Sequence, residues 1–549
     1  MSSIQPLESV LGKIRAKHLL KRACYNVTKS RIEEFSAYTV DQALYQLTNT
    51  HTKKLEQPIN YETGNPWIDE AEADADSVVA YKLMEGTIAW WLDEAKEDKT
   101  VRSRMAYFLF SFLSIDSDVA KFNRGVFYDY LRLLDRYCLG DIKELLYQIT
   151  ITNLMLHYLD NNENTKTNPN ENYAREVLEL FTIGKGPVAG IGDYTHYTED
   201  DIVTAARLLT GWVTNYNKRD VTNHGGDNGG IPTGKPVSNK HDFTEKKFST
   251  RFGNRVIAAY DTNGKTNAQK EARMKEELVE FFDMIFDQEE TAKYICRRMY
   301  RYFVSGKITT EIENDIIIPL ANTFRVNYNL IEPITQLLKS KHFYDEDDAE
   351  IGDEIIGGMI KSPLELALQT LTLVNYPVPD PVSESEFHYL FFYQRELVRD
   401  FLQLSSQKPF SPPSVAGFPA MYEAPVYDKF WFNSTTIIPR YNLGQLLLNK
   451  NQTKVDFKVT RFVEENISNP SDVTVLIPEL ITLLFSKAVN NDRINYFTNE
   501  ILLDNGSLSA GMWTREWNNY MSTGNDLGTE GALVPLFKAL LWSQEYQTN

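Results

Sequence analysis

Three cysteines in 549 residues, Cys24, Cys138 and Cys296, are too few and too far apart for a disulfide framework or for the close pairs that hold zinc. Each reads as a small buried apolar residue. No run approaches the ~18 apolar residues that a membrane-spanning helix needs. The opening MSSIQPLESVLGKIRAKHLL has no apolar stretch of signal-peptide length. Basic residues are scarce relative to acidic ones, 57 Lys and Arg against 75 Asp and Glu, and the net charge of −18 opposes a generic affinity for nucleic acid or anionic membrane. The strong catalytic signatures are also missing: there is no glycine-rich phosphate loop, no nucleophile elbow and no helical HExxH. These absences argue against the common enzyme classes that announce themselves in a local motif.

What is present is material for a sizeable core, 42% hydrophobic and 12% aromatic. Nearly every apolar segment carries helical spacing and capping residues. The pattern predicts a mainly α fold, a multi-helix globular array with strand confined to short pieces near 240–260. We expect a single-core helical domain over 1–450, with loop excursions at 50–75, 213–250 and 345–356. A C-terminal helical extension, 451–549, should pack on it.

The best-marked element is Asn168-Pro169-Asn170-Glu171-Asn172-Tyr173-Ala174-Arg175-Glu176-Val177-Leu178-Glu179-Leu180-Phe181-Thr182-Ile183-Gly184. Asn168 suits an N-cap, Pro169 the first helical position, Glu171 a capping box and Gly184 a left-handed stop. Tyr173, Val177, Leu180 and Phe181 share the expected buried face, while Glu171, Arg175, Glu176 and Glu179 line the flank. A second helix should start at the Thr198 cap, with Asp201 as its third-position acid, and stop at Gly211. That makes a hairpin in which Arg207 can pair with a carboxylate of the first helix. Elsewhere, residues 7–23 form an amphipathic helix with Leu11, Ile14, His18, Leu19 and Ala23 on one face, and Thr39 caps the next. Long helices follow over about 76–96 and 101–113, then two more over 126–159. Ser362, Pro363 and Glu365 repeat the capping-box logic. PFSPPSVAGFP reads as a stiff irregular strand packed near the central helix. The Gly/Asp/Asn loop His224–Gly230 could take calcium but lacks the ordered acids of an EF-hand.

Asp160-Asn161, NPNENYAREVLELFTIG, Tyr197–Asp201, Ala205–Trp212, His241-Asp242 with Lys246, Lys361–Glu365 and Pro412–Phe418 together resemble the signature of the bacterial domain of unknown function 1800 family. The resemblance covers about Ala16 to Leu447. It implies a largely helical protein, often exported, often encoded beside a second uncharacterised family similar to sulfatases. The localisation of this chain stays unknown, since the sequence as given shows no leader. Trp90-Trp91 matches a paired tryptophan of the family. Many relatives carry a Phe-Trp-His-Asn-His-Phe run where this chain has MAYFLFSFL, so Phe110 and Phe112 stand in place of two histidines. That departure removes the best metal-ligand or proton-transfer candidates.

The resemblance suggests that Asp160, Asn170, Glu171, Arg175, Glu176, Arg207, His241, Asp242 and Lys246 come together as a ligand-binding site. If they converge, carboxylates beside a histidine could hold a divalent cation or work as an acid/base pair, although no cofactor is required by the sequence. The competing reading is a buried polar network that fixes how helices and loop dock. Function divides the same way. The first reading is a binding or assembly component acting with a protein partner, such as the sulfatase-like protein. The alternative is a metal-assisted hydrolase or related enzyme using a Glu/Arg/His/Asp site. A satisfied network with no pocket favours the first.

Overall fold

A computed structural model of the chain describes residues 2–49, 57–59, 77–122, 124–190, 193–215, 230–347, 354–381, 386–448 and 455–549. Most of the 50–75 excursion, residues 216–229 of the 213–250 one, the centre of 345–356 and all of the proposed calcium loop except Gly230 lie outside these residues. The described chain is mainly helical. One apolar core takes in residues from Leu7 to Tyr546, the three cysteines among them. No helix among the described residues is long and apolar enough to cross a membrane.

Local capping chemistry sets many boundaries. Thr39, Thr198 and Ser362 each accept the third-position N–H while Gln42, Asp201 and Glu365 reach back, so all three capping boxes form. Asp141 caps the helix Ile142–Thr150, and the 126–159 stretch makes three helices rather than two, because Thr152 caps a short third one. Strand is limited to three antiparallel pairs among the described residues. Lys246–Lys247 with Val256–Ile257 falls where strand was expected; Val188–Gly190 with Asp193–Tyr194, and Trp212–Val213 with Lys235–Pro236, are additional.

The first helix, Gly12–Ala23, is enclosed on all sides from Ala16 onward, although Ile14, expected inside, is about half exposed. His18 packs against Phe343 with its ring centroid 4.5 Å away. Lys17 donates to the carbonyls of Thr482 at 2.6 Å and of Phe485, and Lys21 to the carbonyl of Leu484 and the hydroxyl of Ser486, each at 3.0 Å. These are acceptors at the end of the helix Val473–Leu484, where carbonyls lack helical partners and cations are favoured. The 451–549 stretch is thereby held directly to the first helix.

Candidate functional site

The marked central helix begins later than its sequence suggests. Thr165 and Asn168 pair their backbones in a tight turn, so Asn168 is not the cap. Asn164 Oδ1 accepts the Asn170 N–H at 2.9 Å, Asn170 Oδ1 accepts the Asn172 N–H at 3.0 Å, and the helix runs from Asn172. Over Val177–Thr182 it widens into a π-helix, which shifts the phase of the following side chains. Leu178 is therefore fully buried beside Tyr173, Val177 and Phe181, while Leu180 is only partly buried. The stop is as expected: Gly184 has φ 71° and its N–H reaches the Leu178 carbonyl.

The hairpin pairs with the opposite polarity to the one anticipated. Arg175 of the first helix donates two parallel bonds to Glu199 of the second, at 2.9 and 2.8 Å, with Glu171 at 3.5 Å. That fork holds the Glu199 carboxyl below its usual range. Arg207 instead reaches Asp242 at 2.8 Å and Thr244 at 2.5 Å, anchoring the loop rather than the first helix. Asp160 is exposed in the left-handed region and contributes its carbonyl, not its carboxylate, to Asn170. Glu176 is half-buried, and burial beside Glu179 pushes its carboxyl up to about 7.

His241 and Asp242 turn their side chains to different partners but are joined through Thr210, whose hydroxyl accepts the Asp242 N–H at 2.9 Å, and through Lys246, which also donates to the Asp242 carbonyl. His241 Nδ1 lies 2.7 Å from the Thr210 carbonyl and Nε2 lies 3.2 Å from Glu277 Oε2, which also accepts from Lys246 at 2.6 Å. Arg273 approaches the other Glu277 oxygen at 3.4 Å. The side chains of His241, Lys246 and Glu277 are fully buried. Burial lowers the Lys246 ammonium; for Glu277 burial acts upward, but bonds from His241 and Lys246 outweigh it and hold the carboxyl low. Asp242 is similar: burial acts upward and is outweighed by bonds from Thr244 and Arg207. Of the residues expected in one site, Arg175 and Glu171 gather at Glu199, while Arg207, Asp242, Lys246 and His241 form a linked set with Glu277 that docks the loop. Among the described residues no three His, Cys, Asp or Glu side chains come close enough to hold a metal ion. Glu277 was not singled out from sequence, although an acid at the apolar phase of its helix, between Met274 and Leu278, was a readable signal.

The remaining motifs meet elsewhere. PFSPPSVAGFP lies against the end of the helix Arg102–Phe110, not the central helix. Ser114 donates to the Val415 carbonyl at 2.6 Å, and a Cβ on Gly417, at φ 98°, would sit 2.4 Å from the Ser111 carbonyl. Nothing larger than glycine fits. Glu365, held by its capping box, pairs with the buried Arg104 at 2.6 Å. Lys361 is buried, its ammonium 4.1 Å from the Tyr546 ring centroid and pushed down to about 7 by burial. Arg104, Arg298, Arg301, Ser362, Glu365 and Asp428 wall a cavity of about 30 Å³, with Ser111 at its edge. Phe112, in place of a family histidine, lies under Arg298 at 5.2 Å.

No curated protein and no solved structure matches the chain. A family model described as protein of unknown function (DUF1800) matches residues 18–547, reaching beyond the span covered by the motifs. With nearly the whole chain matched, from the first helix to the last, the protein belongs to the DUF1800 family.

Proposed function

We propose that the chain works as a binding or assembly component acting with a protein partner. The observation that supports this is the sealing of the His241, Glu277 and Lys246 side chains, which have no exposed surface. A general acid or base must come within hydrogen-bonding reach of a substrate, and this histidine has both ring nitrogens engaged internally. The partner that the family resemblance implies is a sulfatase-like protein. Purified wild-type chain should bind such a protein encoded beside it, and His241→Ala/Asp242→Ala should lower thermal stability while binding follows the folded fraction. Loss of binding with an unchanged melt, or no binding by the wild type, would overturn the reading.

One observation favours the enzyme alternative. Glu176 holds a proton near neutrality on the half-buried flank, the condition for a carboxyl to act as an acid at physiological pH. On that reading Glu176→Gln abolishes a hydrolytic activity without loss of folding; on the binding reading it leaves partner affinity unchanged.

A further inference from the structure

The cavity walled by Arg104, Arg298, Arg301, Ser362, Glu365 and Asp428 contains three guanidinium groups against two carboxylates. Both carboxylates are committed. Glu365 accepts from Arg104 at 2.6 Å and from the Ser362 N–H at 2.7 Å; Asp428 accepts the Ile360 N–H at 2.9 Å. Arg298 and Arg301 form no ion pair among the described residues. Their neighbour Arg297 does, with Glu290 and Glu313.

Aromatic faces take the place of carboxylates around the two free arginines. Arg301 lies 4.8 Å over Tyr427, and Arg298 lies 5.2 Å from Phe112 and 5.0 Å from Tyr294. A ring holds the plane of a guanidinium but leaves its edge N–H groups without acceptors. Arg298 is only 8% exposed, and the buried Arg301 Nε has no hydrogen-bond partner. A cation in the last turn of a helix is favoured by the helix dipole, which would account for Arg301 at a wet helix end. It accounts neither for a buried N–H without an acceptor nor for Arg298 one turn earlier.

Space and access fit a small anionic group. A water needs roughly 10–15 Å³ of such space, so the cavity takes roughly two or three waters or one oxyanion head. Asp428 also lines an adjoining cleft of about 830 Å³, whose wall carries Tyr427, the lysines Lys307, Lys429 and Lys487, and the acids Glu311 and Glu354. Gly306 shapes the shared wall: a Cβ there would lie 2.9 Å from Asp428 Oδ1 and 3.0 Å from Tyr427 Cβ.

We propose that Arg298 and Arg301 bind a tetrahedral oxyanion, the phosphate or sulfate group of a ligand whose body lies in the adjoining cleft. At i, i+3 on one helix both arginines line the same cavity, so one anion there would supply negative charge to both and an acceptor for Arg301 Nε. This site stands independently of the protein-partner reading.

Inorganic phosphate and inorganic sulfate are the probes, compared with chloride at equal ionic strength by thermal melts and by equilibrium dialysis of labelled phosphate. The wild type should bind one anion saturably, with the melt rising along the same isotherm, and the preferred anion tells which ester class the site serves. Arg301→Lys should weaken binding at least tenfold, because an ammonium lacks the fork, and Arg298→Met with Arg301→Met should abolish it. Arg493→Ala, which removes an ion pair to Glu545, should leave binding unchanged. A rise that is linear and unsaturable is the general stabilising effect of such salts and overturns the proposal. So does saturable binding that survives both methionine changes. Should those variants fail to fold, the wild-type dialysis isotherm still decides: no saturable site, no oxyanion pocket.

Discussion

Two buried charged clusters lie within the same core, and they are balanced differently. Around Glu277, His241 and Lys246 both reach carboxylate Oε2, Arg273 approaches Oε1 at 3.4 Å without a hydrogen bond, and the side chains of His241, Lys246 and Glu277 have no exposed surface. Around Arg298 and Arg301, cations exceed carboxylates and an N–H is buried without an acceptor. A network whose only task is to hold loop against helix closes on itself, because an unmet buried charge costs stability. The cluster around Arg298 and Arg301 encloses a cavity instead, and that cavity is the opening the proposed oxyanion would fill.

The largest effect should come from opening the closed cluster. Glu277→Ala leaves the buried Lys246 ammonium without its carboxylate and should cost about 3–5 kcal/mol in urea unfolding. A loss under about 1 kcal/mol would mean that the cluster is hydrated after all. An apolar yardstick for that number lies on the central helix: Leu178→Ala should cost about 2–5 kcal/mol, and Leu180→Ala clearly less, since only the former is fully buried. Equal costs would show that the π-turn does not set the phase.

Acidity sharpens the contrast further. The Glu277 carboxyl is held below its ordinary value, so its contribution is present above the unfolded pKa and fades as pH falls through the folded one. Glu176 runs the other way: raised to about 7, it favours the folded state while protonated, and that advantage is lost as pH rises from the ordinary carboxylate range to about 7. Glu176→Gln should therefore raise stability at pH 8 by about 1 kcal/mol, solvent screening of this half-buried group having trimmed the effect, and do little at pH 4. Melts of both proteins across pH 4–8 would reveal a parallel offset if the proton is not involved. The smallest change is expected where charge is in excess. With no oxyanion present, Arg301→Met should shift stability by about 1 kcal/mol or less, the lost stacking on Tyr427 being offset by relief of a partly buried cation that has no ion pair among the described residues. A loss of about 3 kcal/mol or more would place Arg301 in a closed network like that of Glu277.

How much of this could be read beforehand depended on the range of the interaction. The capping boxes at Thr198 and Ser362 and the cap at Thr39 are written within four residues and formed as written, Thr39 gaining a box with Gln42 as well. Asn168, Pro169 and Glu171 satisfied the same rule and failed, because Asn164 and Thr165 compete for that stretch of backbone through a turn. The π-turn has no local signature in VLELFT, so Leu178 and Leu180 exchanged places. At the site, Arg207 meets Asp242, Lys246 meets the Asp242 carbonyl and Glu277, and His241 meets Glu277, whereas the sequence pointed Arg207 to a carboxylate of the first helix. Glu277 and Glu199 come from segments chosen for apolar spacing or capping. Arg298 and Arg301 were invisible in YICRRMYRYF, since what distinguishes them from Arg297 is the absence of a carboxylate in space.

The two lysines of the first helix carry a consequence for how the chain comes off the ribosome. Their ammonium groups are buried, yet their acceptors at Thr482 and Leu484 lie 465 and 463 positions later in the sequence. Until those carbonyls have been synthesised, the opening helix faces either water or an enclosure that cannot satisfy it. Closure must then wait for nearly the whole polypeptide, a non-local step of the slow kind that leaves apolar surface in view meanwhile. A ribosome-bound chain halted before Val473 should be cut by protease within Gly12–Ala23, and the released full-length chain should resist. Vectorial synthesis delivers the first helix early, but the last hundred residues complete its surroundings.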